Sequence, residues 1–290
     1  MTRVVIRDLR GMDEYRAAFA FQDEIWGPGF SEGVPASLQK VAQWSGGVAA
    51  GAFDGDALVG FVFGITGVRE GELVHWSDIL AVRRGVRDAG VGSRLKWHQR
   101  TRALEAGART MLWTWDPLEA RNGWLNLEKL GATGAGYVEE MYGGSTSPLH
   151  TGVGTDRLVA RWALDDERVA AAARGDDLPP SAWPTTPAIF AFSLTPRGEP
   201  DVDPEAPGVT PPEAGREYRV PIPSDLQRLK RERPGEARLW RTATRAALAP
   251  ALAGGWRVEG VRRTPDGPPA YRLLHRDLPP VRGLEPPLSG

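Results

Sequence analysis

Residues 74–92 read VHWSDILAVRRGVRDAGVG, and the reading of this stretch decides how the rest of the chain is organised. His75–Val82 is an apolar run and reads as a strand. A basic, glycine-rich turn follows, and a helix is expected from about Ser93 to Ala106. The turn carries Arg87, Asp88, Ala89, Gly90, Val91 and Gly92, an R-x-x-G-x-G pattern where a strand hands over to a helix. Glycine lets a backbone approach a ligand closely and adopt positive φ. The first N–H groups of a helix lack intrahelical acceptors, and the helix dipole adds partial positive charge there. Strand, turn and helix start therefore make a phosphate cradle, with Arg83, Arg84 and Arg87 expected to add positive charge.

Two nucleotide readings fall away. No G-K-[ST] follows the glycines, so this is not a P-loop, and the βαβ unit with a downstream acidic residue that a dinucleotide fingerprint needs is missing. What remains, R-x-x-G-x-G after a strand ending Leu80-Ala81-Val82, resembles the pyrophosphate loop of the GNAT acyltransferases. The resemblance implies that Arg87, Asp88, Ala89, Gly90, Val91, Gly92 and Ser93 hold the pyrophosphate of acyl-coenzyme A. It also implies that Leu80, Ala81 and Val82 offer backbone groups to the pantetheine arm and the thioester.

The 290 residues suffice for one large domain or two ordinary ones. With 36 basic and 37 acidic residues there is no global field to argue for nucleic acid or a membrane surface as partner. The absence of cysteine rules out disulfides, thiolate metal sites and a cysteine nucleophile. The opening MTRVVIRDLRGMDEY lacks an apolar core of signal-peptide length and no stretch is apolar enough to span a bilayer, so a soluble cytoplasmic protein is expected.

In chain order, Val4–Leu9 reads as a strand. Asp13–Trp26 reads as a helix, with Asp13 as N-cap and Phe19, Gln22 and Trp26 near one face. The connector from Phe30 to Pro35 is long enough to lie over a substrate site. Gly47–Phe53 and Ala57–Ile65 read as strands joined by an Asp54-Gly55-Asp56 turn. After the phosphate helix come a strand over Thr110–Trp115, a helix over Glu119–Leu130 closed by Gly131, and strands over Thr133–Met141 and Arg157–Leu164. Composition changes at Leu164: 21 of the 25 prolines lie beyond it and eight of the 11 tryptophans before it. We therefore expect a catalytic domain over 1–164 and, over 165–290, a proline-rich linker with a small α/β extension packing on that domain. Ala171–Pro184 and Pro196–Pro212 read as linkers. Strands are expected at Ile189–Ser193 and Tyr218–Ile222, a helix capped by Ser224-Asp225 through Lys230, and a longer helix over Ala237–Leu252. A hairpin of Trp256–Val261 with Tyr271–His275 closes the chain across Pro265-Asp-Gly267. The expected fold class is α/β (α+β), a mixed, mostly antiparallel sheet flanked by helices. The element order over the first 164 residues is the one the GNAT fold uses.

Further motifs narrow the resemblance. Trp113-Thr-Trp-Asp116-Pro-Leu118, then Asn122, Asn126 and Lys129-Leu-Gly131, resemble a bacterial GNAT subgroup with a C-terminal extension. Met141-Tyr142-Gly143, Thr155-Asp156-Arg157-Leu158, Ile222-Pro-Ser-Asp225 and Trp240-Arg-Thr-Ala-Thr-Arg245 are similar to its later motifs. Members are described as predicted acetyltransferases, and some relatives are linked to N-succinylamino acid racemases and to succinyl transfer onto amino acids. The resemblance thus implies acetyl-CoA or succinyl-CoA as acyl donor and a small-molecule amine, an amino acid first, as acceptor. It leaves a homodimer open and calls for no metal.

Direct transfer needs a deprotonated amine, a polarised thioester carbonyl and a fate for the leaving thiolate. A backbone N–H near Ala81 or Val82 can polarise the carbonyl. The tyrosine that many GNAT enzymes use as acid is replaced here by Leu127, so the thiolate leaves unassisted or another group serves, with Tyr142 and Asn126 the substitutes. Tyr142 belongs to a strand region expected to face the cleft; a core tyrosine is the competing reading. Asn122 and Asn126, four apart on a helix, share one face and suit the coenzyme arm. Base candidates are Asp78, His75 and Asp116. In strand alternation His75, Ser77 and Ile79 share one face and Trp76, Asp78 and Leu80 the other. Asp78 in an apolar central strand is costly unless paired or hydrated; His75 reads as a partly exposed residue near a strand edge; Asp116 can simply start the turn before Pro117. Arg121, Arg157 and Arg161 are available to a substrate carboxylate. The rival is a non-catalytic CoA-binding or regulatory module, which the missing tyrosine favours.

Overall fold

The computed structural model describes residues 4–28, 30, 32–143, 152–174, 176, 184–203, 209–264, 267–276 and 281; of residues 87–89, 263 and 264 it describes the backbone only. In chain order the elements are β1 (Val5–Asp8), α1 (Gly11–Trp26), α2 (Ala36–Trp44), β2 (Val48–Asp54), β3 (Ala57–Arg69) and β4 (Glu72–Val82). A 3-10 turn (Arg84–Ala89) leads into α3 (Val91–Glu105), β5 (Thr110–Trp115), α4 (Ala120–Trp124), a π-turn (Leu125–Lys129), β6 (Thr133–Val138), β7 (Arg157–Ala163) and α5 (Glu167–Ala173). The C-terminal part carries β8 (Ile189–Phe190), β9 (Ser193–Leu194), β10 (Pro200–Asp201), β11 (Tyr218–Pro221), α6 (Leu226–Glu232), α7 (Pro234–Ala253), β12 (Trp256–Thr264) and β13 (Gly267–His275).

The chain forms two compact units. The first is Met1–Trp113 with Ser147–Leu149 and Trp162–Asp176; the second is Thr114–Thr146 with His150–Arg161 and Asp177–Gly290. Compactness draws its line through β5 and β7, whereas the composition shift lies at Leu164.

In the first unit β1, β2, β3 and β4 pair antiparallel in sequence order, and β5 joins β4 in parallel. The strands read as near-continuous apolar runs because helices cover both faces of this sheet. One face packs Phe61, Phe63, Ile79 and Ala81 against Tyr15, Ala18 and Phe21 of α1. The other packs Val48, Ala50, Val59 and Val62 against Val91 and Leu95 of α3. The β2–β3 hairpin closes through Gly55-Asp56 as expected, with Asp54 opposite Ala57 and Gly55 at φ 59°.

In the second unit β6 pairs antiparallel with β7 and, at Gly134 opposite Val258, with β12. A β-carbon on Gly134 would stand 2.8 Å from Val258 Cβ, so glycine is required for this approach. The β12–β13 hairpin, β11 antiparallel to β13 and β8 parallel to β11 complete the sheet. α7 buries Ala237, Trp240, Ala243, Ala247, Leu248 and Ala251. Of the elements after Leu164, β8, β11, β12 and β13 therefore share a sheet with β6 and β7, while β9 and β10 pair apart from it. Both units have the expected fold class, a mixed, mostly antiparallel sheet flanked by helices.

Several local expectations need correction. α1 begins at Gly11 and Asp13 lies in its first turn, so Asp13 is not the N-cap; Phe19 is 40% exposed while Phe21 and Gln22 are buried. α2 follows Pro35 where no element was expected, and α5 opens with Asp166 accepting from the Arg168 and Val169 N–H groups. The helix expected over Glu119–Leu130 is a short α-helix that widens into a π-turn, closed by Leu130 N–H donating to Leu125 O at 3.0 Å. β6 stops at Val138, leaving Tyr142 in a turn instead of a strand. Ile189–Ser193 splits into β8 and the start of β9, which pairs with β10 inside the expected Pro196–Pro212 linker. Asp225 caps α6 by accepting from Arg228 N–H at 2.9 Å, as expected. Pro265-Asp266 and parts of both linkers lie outside the described residues.

Candidate functional site

The turn after β4 is more ordered than a plain glycine loop. Arg84–Ala89 winds as a 3-10 helix, Gly90 takes the left-handed conformation (φ 69°, ψ 14°), and α3 starts at Val91, two residues earlier than expected. A side chain at 90 would be strained by that φ alone. Arg94 N–H closes the first helical bond onto Gly90 O at 3.1 Å, and Ser93 Oγ donates to the same oxygen at 2.8 Å. The N–H groups of Val91, Gly92 and Ser93 are thus left at the helix start without intrahelical acceptors. Gly92 differs from Gly90: a β-carbon there would meet only Val82 and Leu80 side-chain atoms, at 3.7 and 4.0 Å. The fold itself would accept a larger residue at 92.

Arg83 does not serve the cradle. Its guanidinium is bound to Glu24 through two 2.8 Å bonds, and Arg84 is the exposed one of the pair. The side chains of Arg87, Asp88 and Ala89 lie outside the described residues.

β4 carries two irregularities that matter. Its ladder with β5 covers only Val74–Trp76 opposite Thr110–Leu112, so the β5-facing edge of Ser77–Val82 runs on past the last pair and the strands fork. On the other edge, Ser77 and Ile79 stand opposite the adjacent residues Gly64 and Phe63, which makes Asp78 the extra residue of a β-bulge. The bulge shifts the alternation. His75 and Ser77 face α3, where they meet Gln99, but Ile79 and Ala81 pack in the α1 core and Leu80 and Val82 in the α3 core. The expectation that His75, Ser77 and Ile79 share a face is therefore wrong from residue 78 onward.

Asp78 is solvent-accessible rather than buried in an apolar strand. It nonetheless sits among groups that desolvate it, and this raises its carboxyl pKa against the opposing 3.4 Å hydrogen bond from Trp76 Nε1. His75 is not a partly exposed edge residue: it is fully buried, and burial, with Lys96 nearby, depresses its pKa to about 3. Thr66 Oγ1 lies 2.9 Å from its Nδ1 and Gln99 Nε2 lies 3.1 Å from its Nε2. A base reached through water is not what this ring offers.

Lys96 was not among the expected site residues. It is 2% exposed on the inner face of α3, alongside Val91, Leu95, Gln99 and Ala103. Its Nζ donates to Ser77 Oγ at 2.8 Å and Gln99 Oε1 at 3.3 Å, lies 3.5 Å from Met111 Sδ, and stands 3.8 Å from the centre of the Trp113 ring. Its four neighbours are a hydroxyl, an amide, a thioether and an indole. Burial holds its pKa well below the usual lysine range. The spacing 91, 95, 99, 103 marks the inner face of α3 in the sequence, and Lys96 next to that line was the available signal.

The remaining expected residues belong to the second unit. Asp116 accepts the Leu118 N–H at 2.9 Å and takes both its oxygens to Arg241 Nη2 at 2.8 Å, with Arg157 Nη1 at 3.8 Å. It is a turn-former held in an ion pair, not an available base. Asn122 is exposed and Asn126 only 5% exposed, because the π-turn breaks the four-residue register that would have stacked them. Tyr142 is 42% exposed in its turn, with the Arg157 guanidinium 5.0 Å from its ring centre. Leu127, 1% exposed, is core. Nearby, Asp156 accepts from Tyr137 at 2.5 Å and from Arg245 at 2.7 Å; burial opposes its charge, but these bonds keep its pKa below the ordinary carboxylate value. The first unit thus brings together Leu80, Ala81, Val82 and Gly90–Ser93 at one end of the forked strand, with Asp78 at its bulge. Among the described residues no three His, Asp or Glu side chains converge as metal ligands, and no described helix is long and apolar enough to cross a membrane.

No protein-family model matches this sequence, and no curated protein matches it. Solved structures do resemble it. An acetyltransferase of the GNAT family from Streptococcus pneumoniae aligns at 18% identity and a TM-score of 0.44, over 55% of this chain and 98% of its own. YncA, a putative acetyltransferase from Salmonella typhimurium solved with acetyl-CoA, aligns at 16% and 0.44 over 56% and 95%. FeeM, an N-acyl amino acid synthase from uncultured soil microbes, aligns at 18% and 0.44 over 57% and 93%. At these identities and TM-scores the likeness carries no weight in assigning an activity.

Proposed function

We propose that this chain is an acyl-CoA-dependent N-acyltransferase of the GNAT type, moving an acetyl or succinyl group directly to the amine of a small molecule, first of all an amino acid. The observation that carries the reading is the continuity of the forked, bulged strand β4 with the Gly90 turn and the start of α3. An extended, amide-bearing arm can lie along a strand as an additional strand, and Leu80, Ala81 and Val82, past the last β4–β5 ladder pair, line that route for pantetheine. The N–H groups of Val91, Gly92 and Ser93 take the pyrophosphate, and the space a side chain at 92 would occupy is left to the ligand.

A backbone N–H of β4 near Ala81 or Val82 polarises the thioester carbonyl and stabilises the developing oxyanion. Asp78, accessible and with a raised pKa, takes the proton of the attacking amine directly or through one water. The amine nitrogen bonds to the acyl carbon, the C–S bond breaks, and the thiolate leaves with the electron pair. No serine or cysteine carries the acyl group. The test is release of free thiol with acetyl-CoA and with succinyl-CoA, against L- and D-amino acids separately. Release that depends on the amine supports the reading and fixes the donor.

A non-catalytic CoA-binding module is the second reading. The observation in its favour is Leu127, an apolar core residue where a tyrosine acid would stand. Tight CoA binding without thiol release from any donor and amine would select it.

A further inference from the structure

We propose that Lys96 is a positioning residue that sets the opening of the β4–β5 fork and thereby shapes the channel for the acyl-bearing arm of the donor; this rests on the acyl-CoA reading above. The last ladder pair is Trp76 with Leu112. Ser77 and Trp113 are the first residues beyond it on either strand, and Lys96 Nζ touches both, at 2.8 Å from Ser77 Oγ and 3.8 Å from the Trp113 ring centre. One side chain from α3 therefore stands at the vertex of the fork and engages both strands where they part.

The chemistry at this point is unusual for a core. Lysine is almost never fully buried without a partner, and among the described residues no carboxylate is paired with Lys96. A leucine or methionine would fill the same volume against Met111 and Trp113 without a desolvated amine. Retaining a lysine lowers stability locally, and such violations of packing logic concentrate where a site is being shaped. Its partners are themselves held. Ser77 Oγ donates to Gln99 Oε1 at 2.8 Å, and the Gln99 amide nitrogen binds His75. The bonds run in one direction through the core, from Lys96 through Ser77, Gln99, His75 and Thr66 to the Gly46 carbonyl, which Thr66 reaches at 2.7 Å. Lys96 is thus anchored to the rigid middle of the sheet on one side and leans on the Trp113 face on the other, a geometry that fixes the ring by cation–π or amine–π contact.

The test compares Lys96→Met, which keeps length and volume, with the wild type on two probes. Acetyl-CoA uses the whole site; 3′-phosphoadenosine 5′-diphosphate keeps the pyrophosphate but carries no pantetheine, and needs only the Gly90–Ser93 end. The expected result is at least a tenfold rise in Kd for acetyl-CoA, an unchanged Kd for 3′-phosphoadenosine 5′-diphosphate, and a melting temperature equal to or above that of the wild type. Ser77→Ala should show the same selective loss at smaller size, and it decides the matter should Lys96→Met fail to fold. Unchanged acetyl-CoA affinity in both variants overturns the proposal, as does a parallel loss of both probes, which would make Lys96 a general packing residue. Wild-type protein that binds neither probe would overturn the acyl-CoA reading itself, a different result from either.

Discussion

Gln99 Nε2 meets His75 Nε2 at 3.1 Å, and this contact fixes the state of the histidine. An amide nitrogen only donates, so His75 Nε2 accepts, the ring proton sits on Nδ1, and that N–H points at Thr66 Oγ1. The ring is held neutral inside the sheet, consistent with its pKa of about 3.

This state has a pH consequence. The folded pKa lies below the unfolded value of about 6.5, so between the two the unfolded chain binds a proton that the folded chain refuses. Stability contributed by His75 is complete above about pH 6.5 and is lost as pH falls toward 3, by roughly 1.4 kcal/mol per pH unit. Urea unfolding of His75→Gln from pH 7 to 4 should show a shallower acid decline than the wild type. Parallel curves would contradict the buried neutral ring.

Gly64 is set by the same neighbourhood. A β-carbon there would stand 2.4 Å from His75 Nε2 and 2.5 Å from Trp76 O, the latter a backbone atom that cannot swing away. Gly64→Ala should cost about 3 kcal/mol by overpacking, read as a lowered urea midpoint. A change within 0.5 kcal/mol, the usual range for surface substitutions, would show that the bulge at Asp78 is softer than its register implies.

Asp78→Asn should lower kcat on the order of 10²-fold or more while leaving the KM for acyl-CoA near its wild-type value, as loss of a general base does. Desolvation by the surrounding groups raises the Asp78 pKa, so in the wild type the acid limb of the kcat profile should lie above the ordinary carboxylate range. The Asn variant should lack that limb. Steady-state kinetics across pH checks both points, and an unaltered limb would move the base elsewhere.

In the second unit, Arg241→Met leaves Asp116, with a side chain 14% exposed, without its main counter-ion. The expected cost is about 3–5 kcal/mol, as for breaking one side of a buried pair. The double variant Asp116→Asn with Arg241→Met should recover most of it. Chemical denaturation of the two variants gives the comparison, and a double variant no better than the single would show that Arg241 acts through Val153 O instead.

Much of this was readable in advance because it is local. The His75–Val82 strand, the Gly90 turn and the helix after it are signalled by residues next to one another, as are the Gly55-Asp56 hairpin and the Asp225 cap. What escaped depends on partners distant in sequence or on register. A bulge is a mismatch between two strands, so β4 alone does not disclose that Asp78 is the extra residue. Asp116 looked like a free turn carboxylate because Arg241 lies 125 positions away. Lys96 drew no reading of its own because lysine is ordinarily exposed, and only the packed helix places its amine between Ser77 and Trp113. Asn122 and Asn126 shared a face only while their helix was taken as uniformly α.

The most direct test of the central claim is thiol release from acetyl-CoA and succinyl-CoA in the presence of amino acids, for the wild type and for Gly90→Val, whose turn cannot take φ 69° without strain. The account predicts amine-dependent release by the wild type with one of the donors and at least a hundredfold loss in the folded variant. Folded wild-type protein that binds no CoA, or release that Gly90→Val leaves untouched, would contradict it.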